Sequence, residues 1–74
     1  MAMKLYIKLQ FSSDGKDPLD VIRLVEGVGF SPVVGDYDFV IDFATPEEYG
    51  RILKRLHLSL KNSGVHYTLT TRKA

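Results

Sequence analysis

Phe30-Ser31-Pro32-Val33-Val34-Gly35-Asp36-Tyr37-Asp38-Phe39-Val40-Ile41-Asp42-Phe43 is the stretch that decides how this chain folds. Two apolar runs flank Gly35-Asp36, a pair with the chemistry of a two-residue hairpin turn, in which glycine supplies the positive φ that matches strand twist. Residues 30–34 therefore read as one strand and residues 37–43 as its returning partner. Pro32 cannot donate to a ladder on one side, so the first of these strands belongs at a sheet edge. In the second, Tyr37, Phe39, Ile41 and Phe43 make a heavily apolar face, and Asp38, Val40 and Asp42 point the other way.

Upstream of the hairpin, residues 4–11 alternate strictly. Leu5, Ile7, Leu9 and Phe11 lie on one face and Lys4, Tyr6, Lys8 and Gln10 on the other, which is a half-buried strand. Ser12-Ser13-Asp14-Gly15-Lys16 has loop chemistry. Asp17 can then cap a helix whose first position is Pro18, running to about residue 28 and ending near Gly27 and Gly29. Leu19, Ile22, Val25 and Val28, with Val21 and Leu24 beside them, give it a broad apolar stripe; Asp20, Arg23 and Glu26 face water.

Downstream, Thr45-Pro46-Glu47-Glu48 is a helix start: Thr45 as N-cap, Pro46 in the first turn, and Glu48 placed to bond back to the cap. Tyr49, Ile52, Leu53, Leu56 and Leu60 supply the core face of this second helix. Arg51, Lys54, Arg55 and Lys61 supply its wet face, and Asn62-Ser63-Gly64 its stop. Residues 65–72 alternate again, with Val65, Tyr67 and Leu69 against His66, Thr68, Thr70 and Arg72, as a fourth strand.

The order βαββαβ predicts an α+β fold of ferredoxin-like type: one antiparallel sheet in the order 4-1-3-2, built from two right-handed crossovers, with both helices on one face. Residues 1–74 form a single domain, since nothing in the chain reads as linker, repeat or low-complexity segment. The helices cover the Leu5/Ile7/Leu9/Phe11 and Phe39/Ile41/Phe43 face. The other face then carries Lys4, Tyr6, Lys8, Gln10, Asp38, Val40, Asp42, His66, Thr68, Thr70 and Arg72, and any function borne by the sheet comes from that list.

At 74 residues, 45% of them hydrophobic, and with no cysteine, the chain has a small core and no disulfides to reinforce it, which favours self-association. Zero cysteines and only two histidines, His57 and His66, exclude a structural zinc or iron–sulfur site, and no cofactor is expected. No apolar run reaches membrane-spanning length and the start lacks a signal-peptide core, so a cytoplasmic protein without a membrane partner is expected. Charge is segregated within a net of +1: all nine acids fall in residues 14–48, and residues 49–74 hold six bases and no acid. Such segregation steers charged partners or makes two copies complementary; it is equally the drift of a short chain.

The run Val33-Val34-Gly35-Asp36-Tyr37-Asp38-Phe39-Val40-Ile41-Asp42-Phe43, followed by Thr45-Pro46-Glu47-Glu48-Tyr49 and closing on Gly64-Val65, resembles the ligand-sensing domain of leucine-responsive/AsnC-type regulators. It is similar, too, to the GYD family of small α/β-barrel proteins, whose motif matches Gly35, Tyr37 and Asp38. The resemblance covers residues 33–72. It implies a dimeric α/β-barrel assembly, two four-stranded sheets facing each other, with small effectors such as amino acids bound between subunits. Two departures stand out. The first strand begins by about residue 4, so the family's helix-turn-helix and its route to DNA are not expected, and Ser63 stands where the regulators usually show proline.

Within Gly35-Asp36-Tyr37-Asp38 two readings stand: a turn with Tyr37 as an edge of the core, or a subunit contact centred on Asp38. Tyr6, Lys8, Asp38, Asp42, His66 and Arg72 are the candidate ligand or subunit contacts, because they share the uncovered face. Tyr6, His66, Asp38 and Asp42, sharing one sheet face, could supply an acid/base pair, the constellation a small enzyme of this type would need. Ser12-Ser13-Asp14-Gly15-Lys16 lacks the spacing of a phosphate loop and puts carboxylates where an anion would sit. RNA recognition on the sheet needs aromatic platforms on both central strands, and only Tyr6 is offered. The basic helix face, Arg51, Lys54, Arg55 and Lys61, is the alternative nucleic-acid surface. The first expectation is thus a noncatalytic interaction or ligand-sensing module, a homodimer or higher oligomer; nucleic-acid association comes second and an enzyme third.

Overall fold

The structure is a computed structural model and describes residues 2–11 and 13–73. Its elements are β1 (Met3–Gln10), α1 (Pro18–Val28), β2 (Ser31–Pro32), β3 (Phe39–Phe43), α2 (Pro46–Leu60) and β4 (His66–Lys73). The four strands form one sheet in the order β2-β3-β1-β4, which is the expected 4-1-3-2 read from the other edge. Every pairing is antiparallel.

Both helices start where side chains satisfy their orphan amides. Asp17 accepts from the Leu19 amide at 2.9 Å and Thr45 from the Glu48 amide at 3.2 Å, each followed by proline in the first turn. Gly29 ends α1 by donating its N–H to the Glu26 carbonyl. Val21, Val25 and Val28 of α1 and Leu56 and Leu60 of α2 join Leu5, Ile7, Leu9 and Phe39 in one buried cluster, so both helices bury their apolar stripes against the same sheet face. Burial of this kind stabilises by roughly 1.5–3 kcal/mol per large apolar side chain. Two residues expected in the core are outside it. Leu19, at the very start of α1, is 63% exposed, and Phe11, one residue past the end of β1, is 43% exposed. Phe30 is buried although it precedes β2.

The hairpin departs from the sequence reading. The pairs Ser31↔Val40 and Pro32↔Phe39 keep the register that puts Gly35 and Asp36 at the tip, and Gly35 has φ 128°. Yet β2 has two residues rather than five, and β3 begins at Phe39 rather than Tyr37. The cause lies in Asp38. Ile7 is paired with Phe39, and its carbonyl also accepts the Asp38 amide at 2.9 Å, so two residues on one strand meet one on the other. This bulge bends the chain and shifts the alternation by one position. The Asp38 carboxylate then takes over where the β3 backbone leaves, accepting the Leu9 amide at 2.7 Å.

The loops that follow β1 and α2 are pressed together at one end of the molecule. A Cβ on Gly15 would lie 2.7 Å from the Ser63 carbonyl oxygen, which accepts the Lys16 amide at 2.8 Å. Ser63 is 2% exposed; its hydroxyl donates to the Leu60 carbonyl at 2.6 Å and accepts the Val65 amide at 3.3 Å. The serine thus stitches the end of α2 to the start of β4. Ser12, in the first of these loops, lies outside the described residues.

Candidate functional site

The sheet face opposite the helices carries a cluster at its centre. Tyr6 of β1 stands between Val40 of β3 and Thr70 of β4. Its ring meets that of Tyr37 with centroids 5.0 Å apart and planes at 35°. The Arg72 guanidinium reaches across from β4, 5.9 Å from the Tyr6 centroid and 5.4 Å from that of Tyr37, and donates to the Tyr37 hydroxyl at 3.2 Å. Tyr37 was expected on the covered face. The bulge at Asp38 turns it onto the open one, where it joins Tyr6 and Arg72; that shift is invisible to an alternation pattern, because the pattern assumes an unbroken strand.

Around this cluster the charges are largely spoken for. Lys4 and Asp42 stand opposite each other and form a salt bridge at 2.8 Å. The Asp42 carboxylate, by its hydrogen bond first and its charge second, holds the Lys4 ammonium above the ordinary lysine value of 10.5, against a smaller opposing effect of desolvation. Asp38, a candidate contact for a partner or ligand, accepts the Leu9 amide at 2.7 Å. Lys8 lies opposite Thr68 and His66 opposite Gln10, both exposed and outside the aromatic cluster. Lys4, which faces Asp42, and Gln10, which faces His66, are six positions apart along β1, a span of about 20 Å, so His66 and Asp42 do not form an acid/base pair within one chain.

Arg51, Lys54, Arg55 and Lys61 are exposed, the first three on α2 and Lys61 at its C-cap. Arg55 donates to the Gly27 carbonyl at 3.5 Å. Arg51 and Arg55 line a shallow depression together with Asp42 and Glu48, so carboxylates sit among the bases of this face. A second recess, of about 400 Å³, opens beside the start of α2 between Met3, Phe43, Pro46, Tyr49 and Thr71, with the Phe43 and Tyr49 rings 5.0 Å apart. The sequence carried no signal for it, since its walls come from four separate elements, β1, β3, α2 and β4. Among the described residues no group of three or more metal-ligating side chains comes together, and no helix is long and apolar enough to cross a membrane. The chain matches no protein-family model, no curated protein and no solved structure.

Proposed function

We propose that this protein is a noncatalytic interaction module of ferredoxin-like, dimeric α/β-barrel type, which pairs two copies through the open sheet face and holds a small effector, such as an amino acid, between them. The observation that supports this most directly is the Tyr6–Tyr37–Arg72 cluster: large aromatic surface and a fixed guanidinium at the centre of a face that the helices leave uncovered. Aromatic and arginine side chains are the groups that most often anchor protein contacts. The guanidinium spends one donor on Tyr37 and keeps others suited to a carboxylate. Charge matching between copies contributes less than the sequence suggested, because Lys4 and Asp42 already neutralise each other within the chain. The carboxylates beside Arg51 and Arg55 weigh against nucleic acid on α2.

Sedimentation equilibrium tests the reading. Wild-type protein should show at least twice the 8.4 kDa chain mass at about 100 μM, where micromolar self-affinity is visible. Tyr6→Glu, which sets two carboxylates against each other at the centre of the contact, should return it toward the single-chain mass. A monomeric wild type at that concentration overturns the proposal.

A further inference from the structure

The outer edge of β4 is an open hydrogen-bonding template, and which residues it offers can be derived. The Ile7 carbonyl accepts from Asp38 and the Leu9 amide donates to Asp38, so the odd residues of β1 direct their backbone groups toward β3. Residues along a strand alternate in this respect, so Lys4, Tyr6, Lys8 and Gln10 direct theirs toward β4. Their partners Arg72, Thr70, Thr68 and His66 are thereby satisfied. It follows that Tyr67, Leu69, Thr71 and Lys73 point their N–H and C=O groups outward, at an edge with no neighbouring strand among the described residues.

Three further features mark this edge. β4 is eight residues long, contains no proline, and pairs with β1 without interruption from His66 to Lys73. Charged side chains commonly guard such edges, but Arg72 is drawn inward over Tyr6 and Tyr37. The core is also unfinished here: Val65, Tyr67 and Leu69 pack against it yet stay only half-buried, whereas Leu5, Ile7 and Leu9 on the adjacent β1 are buried.

We infer that β4 pairs antiparallel with β4 of a second copy, about a two-fold axis perpendicular to the sheet at Leu69, to give one continuous eight-stranded sheet. Only antiparallel pairing keeps both helical layers on the same side while matching outward groups with outward groups. In this register Leu69 faces Leu69 of the other copy and Tyr67 faces Thr71, which extends the half-buried row on the helical side. Thr68 faces Thr70 on the open side, a favourable cross-strand pair. The two Arg72 residues, and the two Lys73, lie at opposite ends of the ladder. A parallel arrangement would set each beside its own copy. This edge contact uses the outward backbone groups of β4 and the sheet-face contact uses Tyr6, Tyr37 and Arg72, so different atoms make the two.

Amide hydrogen exchange followed by NMR at about 10 μM and about 1 mM, concentrations that bracket weak self-affinity, tests the inference. Exchange at Tyr67, Leu69 and Thr71 should slow tenfold or more at the higher concentration. Face-to-face pairing gives those amides no new acceptor, so their protection reports the edge alone. Thr71→Pro removes one outward donor and should abolish the protection at Tyr67 and Leu69. Equal, fast exchange of these amides at both concentrations overturns the inference, whatever mass is measured. Protection that survives in Thr71→Pro overturns it too.

Discussion

The sheet has two edges, and they are built on opposite principles. β2 is two residues long and ends in Pro32. By the alternation derived above, Val40 directs its backbone groups toward β2 and Phe39 toward β1, so Pro32, opposite Phe39, sits where its missing N–H would have faced outward. The proline costs the sheet no internal bond and blocks the edge. β4 has eight residues, no proline, and a row of outward donors and acceptors. Natural sheets blunt exposed edges by shortness, proline, bulges or charge. The β2–β3 side of this sheet uses the first three, and β4 uses only Lys73 at its tip. The asymmetry leaves one edge blocked and the other open to backbone pairing, as the inferred β4–β4 contact requires.

The sharpest way to break that comparison is a pair of prolines one residue apart. Thr70→Pro removes a donor aimed at β1, leaves a Tyr6 carbonyl unpaired, and should cost about 1–3 kcal/mol or more by chemical denaturation. Thr71→Pro removes an outward donor and should leave the monomer within about 1 kcal/mol of the wild type. If the two melt alike, the assignment of outward and inward residues on β4 is wrong. Such losses are large in a domain whose stability runs at roughly 0.05–0.15 kcal/mol per residue.

On the closed side, Gly35→Val should cost about 1–3 kcal/mol, measured the same way, because φ 128° is a conformation that β-branched residues do not adopt without strain. The space around Gly35 is open, so any loss reports the backbone and not a clash. A melting temperature unchanged by this substitution would mean the loop relaxes freely and adds nothing to the β2 edge. A smaller effect than that of Gly35→Val should come from Asp38. Asp38→Ala deprives the Leu9 amide of its acceptor and should cost about 1 kcal/mol, with faster exchange of that one amide; Asp38→Asn, which keeps an acceptor oxygen, should recover most of it. Equal loss in both variants would show that charge, and not the hydrogen bond, holds the bulge.

The elements that were legible in the sequence are those fixed by local chemistry. Asp17-Pro18 and Thr45-Pro46 mark the helix starts because capping and the proline ring act within a few residues. The alternation of β1 and β4 gives their faces because those strands are unbroken. Tyr37 was misplaced because its orientation depends on a bond between Asp38 and Ile7, residues 31 apart in the chain, which no local pattern records. The bond from the Leu9 amide to the Asp38 carboxylate is equally invisible to a local pattern, since it joins residues of two strands far apart in the chain. Tyr6 and Arg72 were correctly assigned to one face, yet the third member of their cluster lay beyond the bulge.

The longest ladder in the molecule joins its two most distant strands: Met3 pairs with Lys73, and the register runs unbroken to Gln10 with His66. Closing it draws together nearly the whole chain before most of its contacts can form, an entropic cost that grows with the logarithm of the loop length. Sheets dominated by such non-local pairing fold slowly for their size. The same register brings the first and last strand residues, Met3 and Lys73, side by side at one corner of the sheet. A short tether between those ends would turn the costliest pairing into a local hairpin, and the slow search into a fast one.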